Sequence, residues 1–230
     1  MLLIVVMAAQ SFMYRQGVSI GEWFINILLT LPAILIGLSF HEFAHAYAAD
    51  RLGDPTPRHQ GRVTINPAAH IDPFGIIALV FIGFGWGKPV MVDDRHFKRN
   101  RRDNLIVDLA GVTMNLFLAI IFAGILRLLI AFQYNLMANT AVGGILYQMI
   151  FYIIYYNVIL MVFNLLPVPP LDGFGIITQL FDLRQKEWYY QVYNNGFMIL
   201  MVLIIFNVTD KVLSPAVRTI INLLASIFQF

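Results

Sequence analysis

Long apolar runs separated by short polar connections dominate the chain. Trp23 to about Asp50, Asn104 to Phe132 and Val142 to Leu166 are the longest of them. At 1.5 Å per residue each can cross a hydrocarbon layer about 30 Å thick as a helix. Trp23 and Arg51 border the first run, as interfacial aromatic and basic residues do. Asn195 to Val208 and Val212 to Phe230 are shorter, and Asp210-Lys211 predicts a surface turn between them. The last run contains Ser214-Pro215 and Arg218, which suits either a crossing or an interfacial helix. Met1 to Met13 is apolar but short and lacks a basic leading region, so it reads as a peripheral or packed segment.

Between the first two long runs, Arg51 to Asp103 breaks the helical pattern repeatedly. Asp54-Pro55-Thr56-Pro57, Asn66-Pro67, Asp72-Pro73 and the glycines from Gly83 to Gly87 all interrupt regular helix. Phe74 to Phe84 is nevertheless strongly apolar, and Val90-Met91-Val92 predicts a short strand after Lys88-Pro89. The fold class expected is an all-α polytopic membrane protein of about four to six membrane segments. A small re-entrant or β-hairpin element is expected between the first two long helices. Irregular backbone at membrane depth is tolerated only where protein or a water-filled cavity satisfies it, which suits a site that needs water.

Composition agrees: 59% of the 230 residues are hydrophobic, only 12% are charged, and mean hydropathy is +0.74. A net charge of +2 offers nothing to nucleic acid. The basic residues are instead gathered in one connection, at Arg51, Arg58, Arg62, Lys88, Arg95, Lys98, Arg99, Arg101 and Arg102. The Gln133 to Gly143 loop has none. That asymmetry predicts a cytoplasmic first connection. With no cysteine, neither disulfides nor thiolate zinc ligands are available, so a metal must be held by His, Asp, Glu or Asn.

Chemistry concentrates in His41-Glu42-Phe43-Ala44-His45, near the end of the first long run. Positions i and i+4 share a helix face, so His41 and His45 can direct two imidazole nitrogens at one divalent ion. Glu42 is placed to act as base on a metal-activated water. His41 lies roughly 13 Å, nine residues at 1.5 Å each, before the cytoplasmic end of its helix, so the site is expected inside the membrane nearer the cytoplasmic face. Two histidines leave a third ligand to be found. Glu187, the only glutamate after Glu42, lies in a polar connection, and an extended His motif fails because Arg51 stands where its third His would be. Asp172 is the better candidate: the prolines of Asn164-Leu165-Leu166-Pro167-Val168-Pro169-Pro170-Leu171-Asp172-Gly173 end the preceding helix and leave a carboxylate in an apolar stretch. His41, His45 and Asp172 would leave a fourth position for water, as a catalytic zinc needs.

The two motifs together resemble the site-2 protease family of intramembrane zinc metalloproteases, with signatures H-E-x-x-H and N-x-x-P-x-P-x-L-D-G. Lesser similarities run between them, including Gly61 to Pro67, His70 to Gly75, Gly85 to Val90 and Ala110 to Asn115. The likeness spans about Leu31 to Gly173 and is nearest the compact prokaryotic branch without PDZ or CBS domains. It implies one Zn2+ per chain on His41, His45 and Asp172, Glu42 as general base, and Asn164 positioning substrate or stabilising the oxyanion. It further implies a transmembrane protein as substrate and a prokaryotic cell membrane as location. The family's usual Pro is Val112 here, and Met91-Val92-Asp93 also departs from its pattern.

The domain layout expected is a single integral membrane unit over 1–230. It comprises a peripheral or packed segment at 1–20, a catalytic core over 23–173 and C-terminal helices over 174–230. His70 is either a donor near the metal or a surface-turn residue, and Asn115 either bonds between helices or helps form the site. Asn164 can likewise be an interhelical hydrogen-bonding residue. A membrane metal-ion transporter and a non-catalytic membrane binding protein are the other function classes these residues allow. Substrate identity and oligomeric state are not encoded in any motif.

Overall fold

The computed structural model describes residues 19–82 and 85–230. The segment expected at Met1 to Met13 lies outside the described residues. Four long helices carry the architecture: α1 (Ile20–Leu52), α3 (Asn100–Phe132), α4 (Ala141–Asn164) and α7 (Val208–Phe228), with shorter helices α2 (Pro73–Ile82), α5 (Asp172–Phe181) and α6 (Gly196–Ile205) between them. All four long helices have the length and apolarity to cross a membrane. The expected all-α polytopic class is therefore observed.

Local chemistry sets the helix ends. Ser19 and Glu22 form a reciprocal capping box at the start of α1, and Gly53, at φ 114°, ends it in the left-handed region. α1, α3 and α4 pack against one another, and α7 lies against α4 and α3. Ala119 and Ala123 of α3 are fully buried against Ile154 and Val158 of α4, with Val217 and Leu224 of α7 closing the cluster. Small residues let helix backbones approach where the surrounding lipid supplies no hydrophobic drive. Bulky residues such as Phe117, Leu128 and Phe132 face outward, as a lipid-facing surface requires.

The connection from Gly53 to Arg99 corrects the hairpin expectation. No strand forms among the described residues; a single antiparallel bridge joins Ile71 to Gly87. Asp72 is the reason at one end, because its Oδ1 accepts the backbone N–H groups of Phe74 and Gly75 and starts α2 behind Pro73. At the other end the Val90 N–H donates to Glu42 Oε2 at 3.0 Å rather than to a neighbouring strand. The apolar run is thus a ten-residue helix about 15 Å long, half a bilayer core, which fits the re-entrant half of the expectation. The turn expected at Asp210-Lys211 also moves. Asn207, at φ 54°, makes the break, and α7 starts directly after it at Val208.

Three buried polar side chains hold this connection together. Asp54, with no exposed surface, accepts from Thr56 N at 2.9 Å and Asp93 N at 2.8 Å and pairs with His96. Arg62 donates to the carbonyls of Ala69 and Lys88. His70 bonds Thr64 O at 2.7 Å through Nε2. Backbone groups are thereby satisfied without a sheet. Truncating Asp54 to Ala strands two backbone donors. The loss expected is about 1–3 kcal/mol, read as a lower melting temperature in detergent, and an unchanged melting curve would count against this role.

Candidate metal centre

His41 and His45 stand one turn apart on α1 with buried rings, and Asp172 is the first residue of α5. The chain brings Asp172 to them by ending α4 at Asn164 and folding tightly through Pro167, Pro169 and Pro170. A Cβ on Gly173 would lie 2.3 Å from Leu165 O, so only glycine permits that approach. Arg101 of α3 donates to the carbonyls of Gln179 and Leu180 at the far end of α5, and Arg184 pairs with Asp94 at 2.7 Å. The helix carrying Asp172 is therefore fixed at both ends.

The three donor atoms converge. His41 Nε2 and His45 Nε2 are 3.0 Å apart, and each lies 3.3 Å from Asp172 Oδ2. His45 Nδ1 donates to Val107 O at 2.8 Å, which leaves its Nε2 as a lone pair. His41 is set by a longer relay. Asn157 Nδ2 donates to Ile153 O, so its Oδ1 is free to accept from Asn115 Nδ2 at 2.9 Å. Asn115 Oδ1 then accepts from His41 Nδ1 at 2.7 Å. Each amide orientation follows from the one before it, and His41 Nε2 is likewise left as a lone pair.

Two imidazole lone pairs and a carboxylate oxygen therefore face one another in a buried site, and Asp172 Oδ2 has no hydrogen-bond partner among the described residues. Without a cation that arrangement is repulsive; with one it is a ligand set. Zinc bonds of about 2.0–2.1 Å in tetrahedral geometry put ligand atoms about 3.3 Å apart, which matches the observed spacing. The residues present fit a zinc ion.

A cavity of about 420 Å³ opens on this cluster and is lined also by Glu42, Val90, Asp108 and Asn164. Glu42 is thus beside the donor atoms, its carboxylate aligned by the Val90 N–H. Asn164 reaches the cavity wall while its Nδ2 donates to Leu160 O at 2.9 Å. Asn115 both bonds between helices and supports the site. His70 does neither of the things expected of it: it does not line the cavity, and it is fully buried rather than in a surface turn, because the connection folds over it. Sequence reasoning missed Asn157 and Asp108. The available signal was an amide and a carboxylate within apolar helices, where such groups are costly.

Gly111 lies on the α3 face opposite the histidines, and a Cβ there would stand 2.3 Å from His45 Nε2 and 2.5 Å from His41 Cε1. Gly111→Ala is expected to weaken zinc retention at least about tenfold, with Asn115→Ala costing about 10–100-fold through the lost support of His41. Gly144→Ala, with nothing within 4 Å, serves as the control. Zinc content after dialysis against graded chelator measures all three; full retention in Gly111→Ala would contradict this geometry.

Comparison with known proteins agrees with the site. Residues 29–207 match the model of peptidase family M50. The chain is 38% identical over 200 residues to "Putative zinc metalloprotease YwhC" of Bacillus subtilis (strain 168), covering 85% of this chain and 90% of that protein. It is 33% identical over 192 residues to "Putative zinc metalloprotease Rip2" of Mycolicibacterium smegmatis, covering 77% and 67% respectively. No solved structure matches with comparable significance. With most of its length inside the family match and a ligand set of the right chemistry, the chain belongs to peptidase family M50, the site-2 protease family of zinc metalloproteases.

Proposed function

We propose that the protein is an intramembrane endopeptidase that cuts partner proteins in or near their transmembrane segments, from a site nearer the cytoplasmic face. The observation that carries this reading is the convergence of His41, His45 and Asp172 beside Glu42, in a cavity walled by helices long enough to span a bilayer. His41, His45 and Asp172 would hold a zinc ion, which would supply Lewis-acid polarisation of a carbonyl and a water acidic enough to serve as nucleophile near neutral pH. Glu42 takes the proton of the attacking water on a carboxylate oxygen and delivers it to the leaving amine. Asn164, on the cavity wall, positions the substrate backbone.

A substrate helix has no free backbone donors or acceptors, so it must unwind locally before it can be cut. Pro89, Val90 and Val92 line the cavity as non-helical backbone, and the unwound segment pairs there by edge addition. The clustered basic residues of the connection support its cytoplasmic placement.

The test is comparative identification of new protein N-termini in membranes expressing wild type or Glu42→Gln. Termini within or a few residues from predicted transmembrane segments, present with wild type and reduced at least about 100-fold in Glu42→Gln, are expected. Termini confined to extramembrane domains, or unaffected by Glu42→Gln at undiminished zinc content, would overturn the reading.

A further inference from the structure

α7 carries a polar residue at every fourth position, Ser214, Arg218 and Asn222, within a mostly apolar helix. All three line a groove of about 400 Å³ between α4 and α7, whose other wall is Phe151, Tyr155 and Ile159. Phe151 and Tyr155 stack with ring centroids 6.1 Å apart, giving a flat aromatic wall, and the groove reaches Val217 in the core cluster behind it.

Arg218 is the unusual feature. It stands ten residues from each end of α7, so a crossing helix holds it about 15 Å from either edge of a hydrocarbon layer about 30 Å thick. Its side chain carries a guanidinium cation. A side chain reaching roughly 7 Å cannot bring that charge to a lipid phosphate from mid-membrane. Arg127 differs, because it lies five residues from the end of α3 and can extend to the interface. Among the described residues Arg218 has neither an ion-pair nor a hydrogen-bond partner. A charge at that depth is costly, and pairing with a counter-charge offsets that cost.

The chain itself has no suitable one. Residues 1–18 contain no aspartate or glutamate. A second copy would offer carboxylates near helix ends or in connections (Glu22, Asp50, Asp54, Asp72, Asp93, Asp94, Asp103, Asp182, Glu187 and Asp210), or Glu42, Asp108 and Asp172, which line the catalytic cavity.

We propose that the α4–α7 groove docks a transmembrane helix of a different protein, one bearing an aspartate or glutamate near mid-membrane that pairs with Arg218. Ser214 and Asn222, one turn to either side, bond polar groups flanking that carboxylate, and the aromatic wall packs against the helix. Ile159 is five residues, about 8 Å along α4, from Asn164 in the catalytic cavity, so the docked helix lies alongside the proteolytic site. This surface does not depend on how the site cuts its substrates.

The test uses the full chain in phosphatidylcholine vesicles with benzoylphenylalanine in place of Ile221 and synthetic single-span leucine-alanine helices bearing Asp, Lys or Leu at their centre. Photo-crosslinking to the Asp helix is expected to exceed that to the Leu helix about tenfold and to fall to the Leu level in Arg218→Leu. In Arg218→Glu the preference should pass to the Lys helix, a gain that a misfolded variant could not show. Equal labelling by Asp and Leu helices, or indifference to Arg218→Leu, would overturn the proposal. So would abolition of the Asp preference by added phosphatidylglycerol, because a lipid phosphate would then be the occupant.

Discussion

Bringing two imidazole lone pairs and a carboxylate to one point inside an apolar helical bundle is the constraint on which the rest of the structure depends. Desolvating these groups is costly, and their mutual approach is unfavourable unless a cation lies between them. The chain commits four elements to that approach. α1 supplies both imidazoles, and α3 accepts a hydrogen bond from each of them, through Val107 O and Asn115 Oδ1. α4 orients Asn115 through Asn157, and α5 carries Asp172. Gly111 provides the space in which the rings sit, and Arg101 anchors α5 from the far end.

Membrane setting and hydrolytic chemistry make opposing demands on the same backbone. Long helices satisfy their own hydrogen bonds but leave no path for water; irregular segments allow one but expose polar groups. The Gly53 to Arg99 connection resolves this locally. Asp54, Arg62 and His70 bury their polar atoms against its backbone, so the segment beside Glu42 can remain non-helical without a β-ladder. The Val90 N–H, released from strand pairing, aligns the Glu42 carboxylate instead. Folding of the connection and placement of the Glu42 carboxylate are thus one arrangement.

The parts legible in sequence were those governed by short-range rules. Helical spacing paired His41 with His45, the proline-broken Asn164 to Gly173 segment gave up Asp172, and apolar run length located the long helices to within a few residues. Elements set by tertiary contact were less legible. The Val90–Val92 strand failed because its first amide found a carboxylate on α1, and the Asp72-Pro73 pair, which looked like a breaker, is a helix start. His70 could not be placed because its environment is built from residues on both sides of the connection. Asn157 supports His41 only through Asn115, a link that crosses three helices and leaves no spacing pattern in the chain.

The most direct measurement of the central claim is X-ray absorption at the zinc edge on the full-length protein in detergent, wild type beside Asp172→Ala. Two imidazole nitrogens and oxygen ligands at about 2.0–2.1 Å are expected in wild type, with the carboxylate contribution lost in the variant. A zinc shell without two imidazoles, or a spectrum unchanged by removing Asp172, would show that these three residues do not form the metal site.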